Sequence, residues 1–105
     1  MKNENQKIKD KIQQRRLQIL IHSCIYYELN DSIVTDATWS KWAKELVELQ
    51  SKYPDIANQV VYAKEFEGFD GSTGMHLPIK DFKVINRARY LLEHRPPKKQ
   101  PGLLF

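Results

Sequence analysis

Residues 21–56, IHSCIYYELNDSIVTDATWSKWAKELVELQSKYPDI, decide the fold of this 105-residue chain. The front half is an apolar, tyrosine-bearing segment that stops in a polar turn, Asn30-Asp31-Ser32. The back half restarts after Thr35 or Asp36, either of which can accept hydrogen bonds from the free amides of a new helix. Two helices joined by so short a connector fold back on each other. The hairpin therefore sets Tyr26 and Tyr27, at the end of one helix, beside Asp36, Trp39 and Ser40 at the start of the next.

Upstream, Ile8, Ile12 and Ile19 begin a stripe that widens to Leu20, Cys24 and Tyr27, which predicts one long helix from Asn5 to about Leu29. Its first two turns are nearly all polar and are expected to project beyond the core. Downstream, Trp39, Trp42, Leu46, Leu49 and Tyr53 recur at steps of three and four along a helix from Asp36 to Tyr53, which Pro54 stops. Trp42, Leu46 and Leu49 read as core, whereas Trp39 lies in the first turn, beside the candidate pocket at the hairpin's connector. After Pro54, DIANQVVYAKEF suits a short helix carrying Ile56, Val60 and Ala63 on one side, or a strand at Val60-Val61-Tyr62.

The segment Glu67–Gly74, EGFDGSTG, reads as a tight turn anchored by Phe66 and Phe69. Its amides could face a phosphate, but it is not GxxxxGK[ST], and Glu67 and Asp70 oppose an anion. Met75 to Ile79 is expected to be extended. A third helix follows from about Asp81 to His94, with Val84, Ile85, Ala88, Leu91 and Leu92 inward and Lys83, Arg87 and Arg89 outward. The tail 95–105, RPPKKQPGLLF, cannot continue that helix because of its three prolines. The expected fold class is thus mainly α: a helical hairpin, a third packing helix and an irregular glycine-rich loop, in one domain over 1–94 with a Pro/Lys-rich tail.

With 41% hydrophobic and 29% charged residues the chain reads as a soluble globule able to bury one modest core. No run approaches the ~18 apolar residues of a membrane span, and MKNENQKIKDK is too polar for a secretory signal. The single cysteine, Cys24, excludes an internal disulfide, and the expected compartment is the cytoplasm. Residues 1–20 hold six Lys/Arg against two acids, residues 80–105 seven against two, and the middle four against nine. Basic ends on an acidic centre suit a phosphate backbone or an acidic protein, or are simply solvated faces.

Other constellations are weaker. His22 and Cys24 are two apart on a helix and point to different sides, so they do not form a metal site with His76 or His94. Cys24 has no base assigned to it and reads as a small buried residue. Glu45 and Glu48 read as solvated carboxylates on the outer face of the second helix.

The order His22, Tyr26-Tyr27, Asp36, Trp39-Ser40, Glu45-Leu46, Glu48-Leu49, Tyr53-Pro54 resembles the N-terminal (Ia) domain of NAD-dependent DNA ligases. The family pattern runs His-x-x-x-Tyr-Tyr or Tyr-His, an Asp nine or ten residues on, x-x-Tyr-Asp, then Glu-Leu-x-x-Leu-Glu closed by Pro, and the chain follows it without a gap. Trp39 stands where the family has Tyr, and Ser40 where it has Asp. The resemblance implies a domain that grips the nicotinamide mononucleotide (NMN) half of NAD, with Tyr26, Tyr27, Asp36, Trp39 and Ser40 as its cofactor-binding residues. It also points to the orphan ligase-related proteins of phages and prophages, and hence to the cytoplasm of a bacterial host.

Sealing DNA requires a lysine nucleophile in a Lys-x-Asp-Gly motif, and Gly68 stands two before Asp70, so the expectation is a protein that is not itself an enzyme. Two functions follow. In one, a non-catalytic phage-type interaction protein binds a host protein or nucleic acid through its basic ends, Lys11, Arg15 and Arg16 with Lys83, Arg87 and Arg89. In the other, an NMN- or NAD-binding module assists or regulates an NAD-dependent DNA ligase in trans. The changes at Trp39 and Ser40 favour the first and the retained Tyr26, Tyr27 and Asp36 the second, although the aromatics can equally be packing residues and Asp36 a helix cap.

Overall fold

Residues 18–25, QILIHSCI, are buried without exception, so this segment has no face toward water. They lie in α1 (Glu4–Tyr27), and a helix segment covered on all sides belongs at the centre of a fold. The computed structural model describes residues 3–94 and supplies the cover from α2 (Asp36–Lys52), α3 (Pro54–Ala57) and α4 (Phe82–Glu93). Helices α2 and α4 each pack on α1, and α3 touches both α1 and α2. The architecture is the mainly α one expected, with no strand among the described residues. Residues 95–105, the expected tail, lie outside the described residues.

Local chemistry sets the helix ends. The Asn3 side chain accepts the Gln6 amide at 2.8 Å and opens α1. At the far end Asn30 takes a left-handed φ of 52°, and the Asp31 amide turns back to the Ile25 carbonyl at 3.1 Å. Thr35, not Asp36, caps α2: its Oγ1 accepts the Thr38 amide at 3.1 Å. Pro54 stops α2 and begins α3, because the first helical position needs no amide. Asp81 opens α4 by accepting the Lys83 amide at 2.8 Å.

Two expectations between α3 and α4 are corrected. Val60-Val61-Tyr62 forms neither a strand nor a continued helix but a turn, in which Tyr62 has a φ of 68°. Met75–Ile79 is not extended; it is a run of tight turns closed by Leu77 N–H to Gly74 O at 3.1 Å and Ile79 N–H to Leu77 O at 2.7 Å. In an extended strand Gly74 and Leu77, three apart, would lie on opposite faces. Turning lets both be buried, Leu77 together with Ile79, Phe66, Phe69 and Val84 in the core.

Polar groups carried into this interior find partners there. Arg16 is only 2% exposed: its Nε donates to Gln50 Oε1 at 2.9 Å, and its NH1 to the carbonyls of Val60 and Val61 at 3.1 and 3.2 Å. Burial lowers its pKa, with the Glu65 charge opposing the shift, and a guanidinium so placed stays charged. Arg15 donates to Glu45 at 3.1 Å and to Gln18 Oε1 at 2.6 Å, and Lys11 lies 3.4 Å from the other Glu45 oxygen. Glu45 is therefore not a solvated outer-face carboxylate. Burial alone would raise its pKa, but the Arg15 hydrogen bond and the charges of Arg15 and Lys11 outweigh that and hold it below the ordinary value.

Arg16→Ala is expected to cost about 3 kcal/mol, since it removes hydrogen bonds from a charged donor and strands two carbonyls that fold the segment after α3 onto α1. Urea unfolding measures this directly. A loss below about 0.5 kcal/mol, the range of an ordinary surface change, would mean that solvent serves those carbonyls as well as Arg16 does.

Candidate functional site

The connector end of the α1–α2 hairpin encloses a cavity of about 230 Å³. Tyr26 and Tyr27 reach it from the last turn of α1, Ile33 and Val34 from the connector, and Asp36, Trp39 and Ser40 from the first turns of α2. All five residues expected to meet at the hairpin's end therefore line one space. Of the basic residues singled out from the sequence, none lines it. Lys11, Arg15 and Arg16 join α1 to α2 and to the turn after α3, so Arg16 in particular has no surface to offer a partner. Lys83, Arg87 and Arg89 lie exposed on α4.

The aromatic walls differ in how firmly they are held. Trp39 donates its indole N–H to Ser23 Oγ at 3.2 Å and packs edge-on against Phe69, with centroids 6.5 Å apart. Tyr27 is half-buried, and its hydroxyl shares a 2.9 Å hydrogen bond with Thr73 Oγ1. Tyr26 meets Tyr27 edge to face at 5.0 Å but is 57% exposed, which makes it the rim. Two rings are thus fixed by both packing and a hydrogen bond, and one is set by packing alone.

Polar groups at the site divide in the same way. Because Thr35 caps α2, the Asp36 carboxylate is not needed there; among the described residues it has no side-chain hydrogen bond or ion pair. It sits in the first helical turn, where the N-terminal dipole favours a negative charge. Its reading as a cap alone is set aside by this geometry. His22, 4% exposed and 5.4 Å from the Trp42 ring, borders the same space, and burial lowers its pKa from 6.5 to about 4. At neutral pH it is an uncharged wall.

The glycine-rich loop closes the cavity with Ser72 and Thr73, a contribution the sequence reading did not foresee. Asp70 Oδ1 accepts from the Ser72 hydroxyl at 2.6 Å and amide at 2.9 Å, and these bonds hold its carboxyl below the ordinary value. Phe66 and Phe69 anchor the loop from below, as expected of a structural turn. Gly74 lies against α1 so closely that a Cβ there would collide with the Ser23 side chain. The only sequence signal was the glycine itself, since nothing local says which helix such a turn lands on. No group of three His, Cys, Asp or Glu among the described residues is placed to hold a metal ion. No helix among them is long and apolar enough to cross a membrane.

Comparison with known proteins bears on this site. The family profile described as DNA ligase-like, N-terminal NAD+-binding domain matches residues 5–59, just over half of the chain and all of the α1–α2 hairpin but Glu4. A DNA ligase of Thermosipho africanus is 34% identical over 71 residues, which covers 63% of this chain and 11% of that protein. A DNA ligase of Petrotoga mobilis is 41% identical over 49 residues, 47% of this chain and 7% of its own length. A third, from Thermotoga maritima, is 32% identical over 65 residues, or 57% and 9%. The chain thus spans about a tenth of the length of these relatives. No solved structure matches it at a significant level.

The buried imidazole makes stability depend on pH. Between about pH 6.5 and about 4 the unfolded chain binds a proton at His22 that the native state does not, so the fold is most stable above that interval and loses stability as pH falls through it. About 2 kcal/mol should be gone by about pH 5, before most carboxylates protonate. Urea titrations at neutral pH and about pH 5, on the native chain and on His22→Asn, check this. An equal pH slope in both proteins would show that another group is responsible.

Proposed function

The chain belongs to the family of DNA ligase-like, N-terminal NAD+-binding domains, and we propose that its hairpin cavity holds the nicotinamide mononucleotide half of NAD. The observation that carries this reading is the convergence of Tyr26, Tyr27, Asp36, Trp39 and Ser40 on one space, with the Asp36 carboxylate released from capping duty. The residues suit such a ligand. Trp39 and Tyr27 offer fixed aromatic faces to a flat ring, Tyr26 closes over it from the rim, and Asp36 and Ser40 supply acceptors for an amide or ribose hydroxyl. At about 230 Å³ the cavity lies below the ~300–1,000 Å³ of sites that enclose drug-sized molecules, so in this reading it takes the nicotinamide ring and leaves part of the nucleotide at its mouth.

In this reading the protein binds and orients the nucleotide, in the cytoplasm, for an NAD-dependent DNA ligase acting as a separate chain. These 105 residues hold no Lys-x-Asp-Gly motif, so in this reading chemistry at phosphorus falls to that partner. Trp39 is compatible with the role because its N–H is already satisfied by Ser23, so the ring meets the ligand by its face. Ser40 keeps an acceptor but loses the charge that would hold a ligand hydroxyl more strongly.

A second reading rests on a different surface. On the outer side of α4, Phe82 is 76% and Tyr90 59% exposed, beside the exposed Lys83, Arg87 and Arg89. Aromatic rings between cations suit a single-stranded nucleic acid, or an acidic face of a host protein in a phage-type setting. The part of this role first assigned to the basic face of α1 moves to α4, because Arg15 and Arg16 are taken up by internal contacts.

Calorimetric titration with NAD and NMN should give saturable binding. Asp36→Ala and Tyr26→Ala should each weaken it at least about tenfold, or about 1.4 kcal/mol. Absence of heat at millimolar ligand would sink the nucleotide reading. For α4, the double change Arg87→Glu, Arg89→Glu should abolish oligonucleotide binding that also falls steeply with salt. Binding indifferent to salt or to those charges would remove α4 from the account.

A further inference from the structure

Helix α4 buries Val84 and Ala88 and turns its opposite side to water. Residues four apart on a helix lie one above the other, so the exposed Phe82, Asn86 and Tyr90 form a single ridge along that side. Lys83 and Arg87, also four apart, run beside the ridge on one flank, and Arg89 lies on the other. All three cations are exposed, and they form no ion pair among the described residues. Within the helix they are balanced by one acid, Glu93 in the last turn. Asp81, just outside it, is occupied in accepting the Lys83 amide at 2.8 Å.

The ridge ends in a stack. The Tyr90 and His94 rings lie 4.1 Å apart and 24° from parallel, and a His94 ring nitrogen sits 2.9 Å from the Tyr90 carbonyl, which holds the imidazole in place. Rings held nearly parallel at the surface make a platform for further flat rings. Phe82, 76% exposed, stands at the other end of the ridge, about 12 Å along the axis from Tyr90, so a strand laid along α4 puts different bases on the two. An acidic protein face would satisfy the cations but has no need of these rings. A single-stranded nucleic acid needs both, since every base offers a π-face and every link a phosphate, whereas a duplex keeps its base faces stacked inside.

We propose that the outer side of α4 is a track for single-stranded nucleic acid: bases stack on Phe82 and on the Tyr90–His94 pair, Lys83, Arg87 and Arg89 hold the backbone on either flank, and Asn86 between the rings offers its amide to base edges. This rests on the reading of α4 given above and deepens it, narrowing its two partners to one. The hairpin cavity, lined by other residues, takes no part in it. Recognition by stacking and charge tolerates any sequence, prefers a single strand to a duplex and weakens steeply with salt.

The test is fluorescence anisotropy of labelled oligothymidylate and oligouridylate, about twelve nucleotides long, titrated with the full chain at about 50 mM salt, the tighter of the two carrying the remaining comparisons. Phe82→Ala and Tyr90→Ala, checked for folding by far-UV circular dichroism, should each weaken binding at least about fivefold, and Tyr90→Phe, which keeps the ring, should bind as the native chain does. An abasic strand of equal length, with the same phosphates, should bind at least about tenfold more weakly. Native-like binding by both alanine variants, equal affinity for the abasic strand, or a duplex bound as tightly as the strand would show that charge alone is read. Any of these overturns the proposal and leaves α4 as a charged surface. Polyglutamate bound as tightly as the strand, or in its place, overturns the proposal in favour of an acidic protein partner. Binding of neither probe by the native chain overturns both the proposal and the α4 reading it rests on.

Discussion

Everything in this fold answers to the complete burial of α1 between Gln18 and Ile25. A helix segment with no face toward water must be wrapped, and among the described residues every other helix takes part in the wrapping. Helix α2 covers one side through Trp42, Ala43 and Leu46, and α4 another through Val84 and Ala88. The turns from Phe66 to Ile79 bring in Phe66, Phe69, Leu77 and Ile79. Each buried aliphatic or aromatic side chain contributes about 1.5–3 kcal/mol, so the hydrophobic term favours whatever path delivers the most of them. That preference explains why the segment before α4 turns repeatedly instead of running straight.

The same constraint governs the charges. Because α1 is central, its Lys11, Arg15 and Arg16 reach other elements. Arg16 gathers Gln50 and two carbonyls, and Arg15 and Lys11 share Glu45. A cluster of cations that looked in the sequence like a surface for an acidic partner is largely an internal set of ties between the first helix and its cover. The exposed cations of α4 have no such contacts among the described residues, and two exposed aromatic rings lie beside them.

At the hairpin's end, the groups that pack are distinct from those left exposed. Ser23 takes the Trp39 indole N–H while its neighbourhood admits only glycine at position 74, so one small polar residue sets both an aromatic wall and the loop that closes the space. Tyr27 repeats this by bonding to Thr73. The groups committed to one another make the frame. Asp36 at the first turn and Tyr26 at the rim are both exposed, and they are the groups the proposed nucleotide reading gives to the ligand.

Much of this was legible in the sequence by itself. Helix lengths and ends follow from local rules: spacing of apolar residues, Thr35 as a possible cap, Asn30 and Pro54 as stops. A short connector then dictates that Tyr26, Tyr27, Asp36, Trp39 and Ser40 come together, because antiparallel helices joined closely have their near ends adjacent. Three things had no local signature and were decided only by tertiary structure. Whether Thr35 or Asp36 caps α2 depended on which side chain the connector delivers to the Thr38 amide. Whether a cation or carboxylate such as Arg16 or Glu45 is free or tied depended on what lies across from it, which for these two is 30 or more residues away in the chain. The landing of the glycine-rich loop on α1 depended on close approach at Gly74, where the missing side chain matters only because Ser23 is there. Periodicity is a property of neighbours along the chain, whereas partnership belongs to neighbours in space, and only the folded chain supplies those.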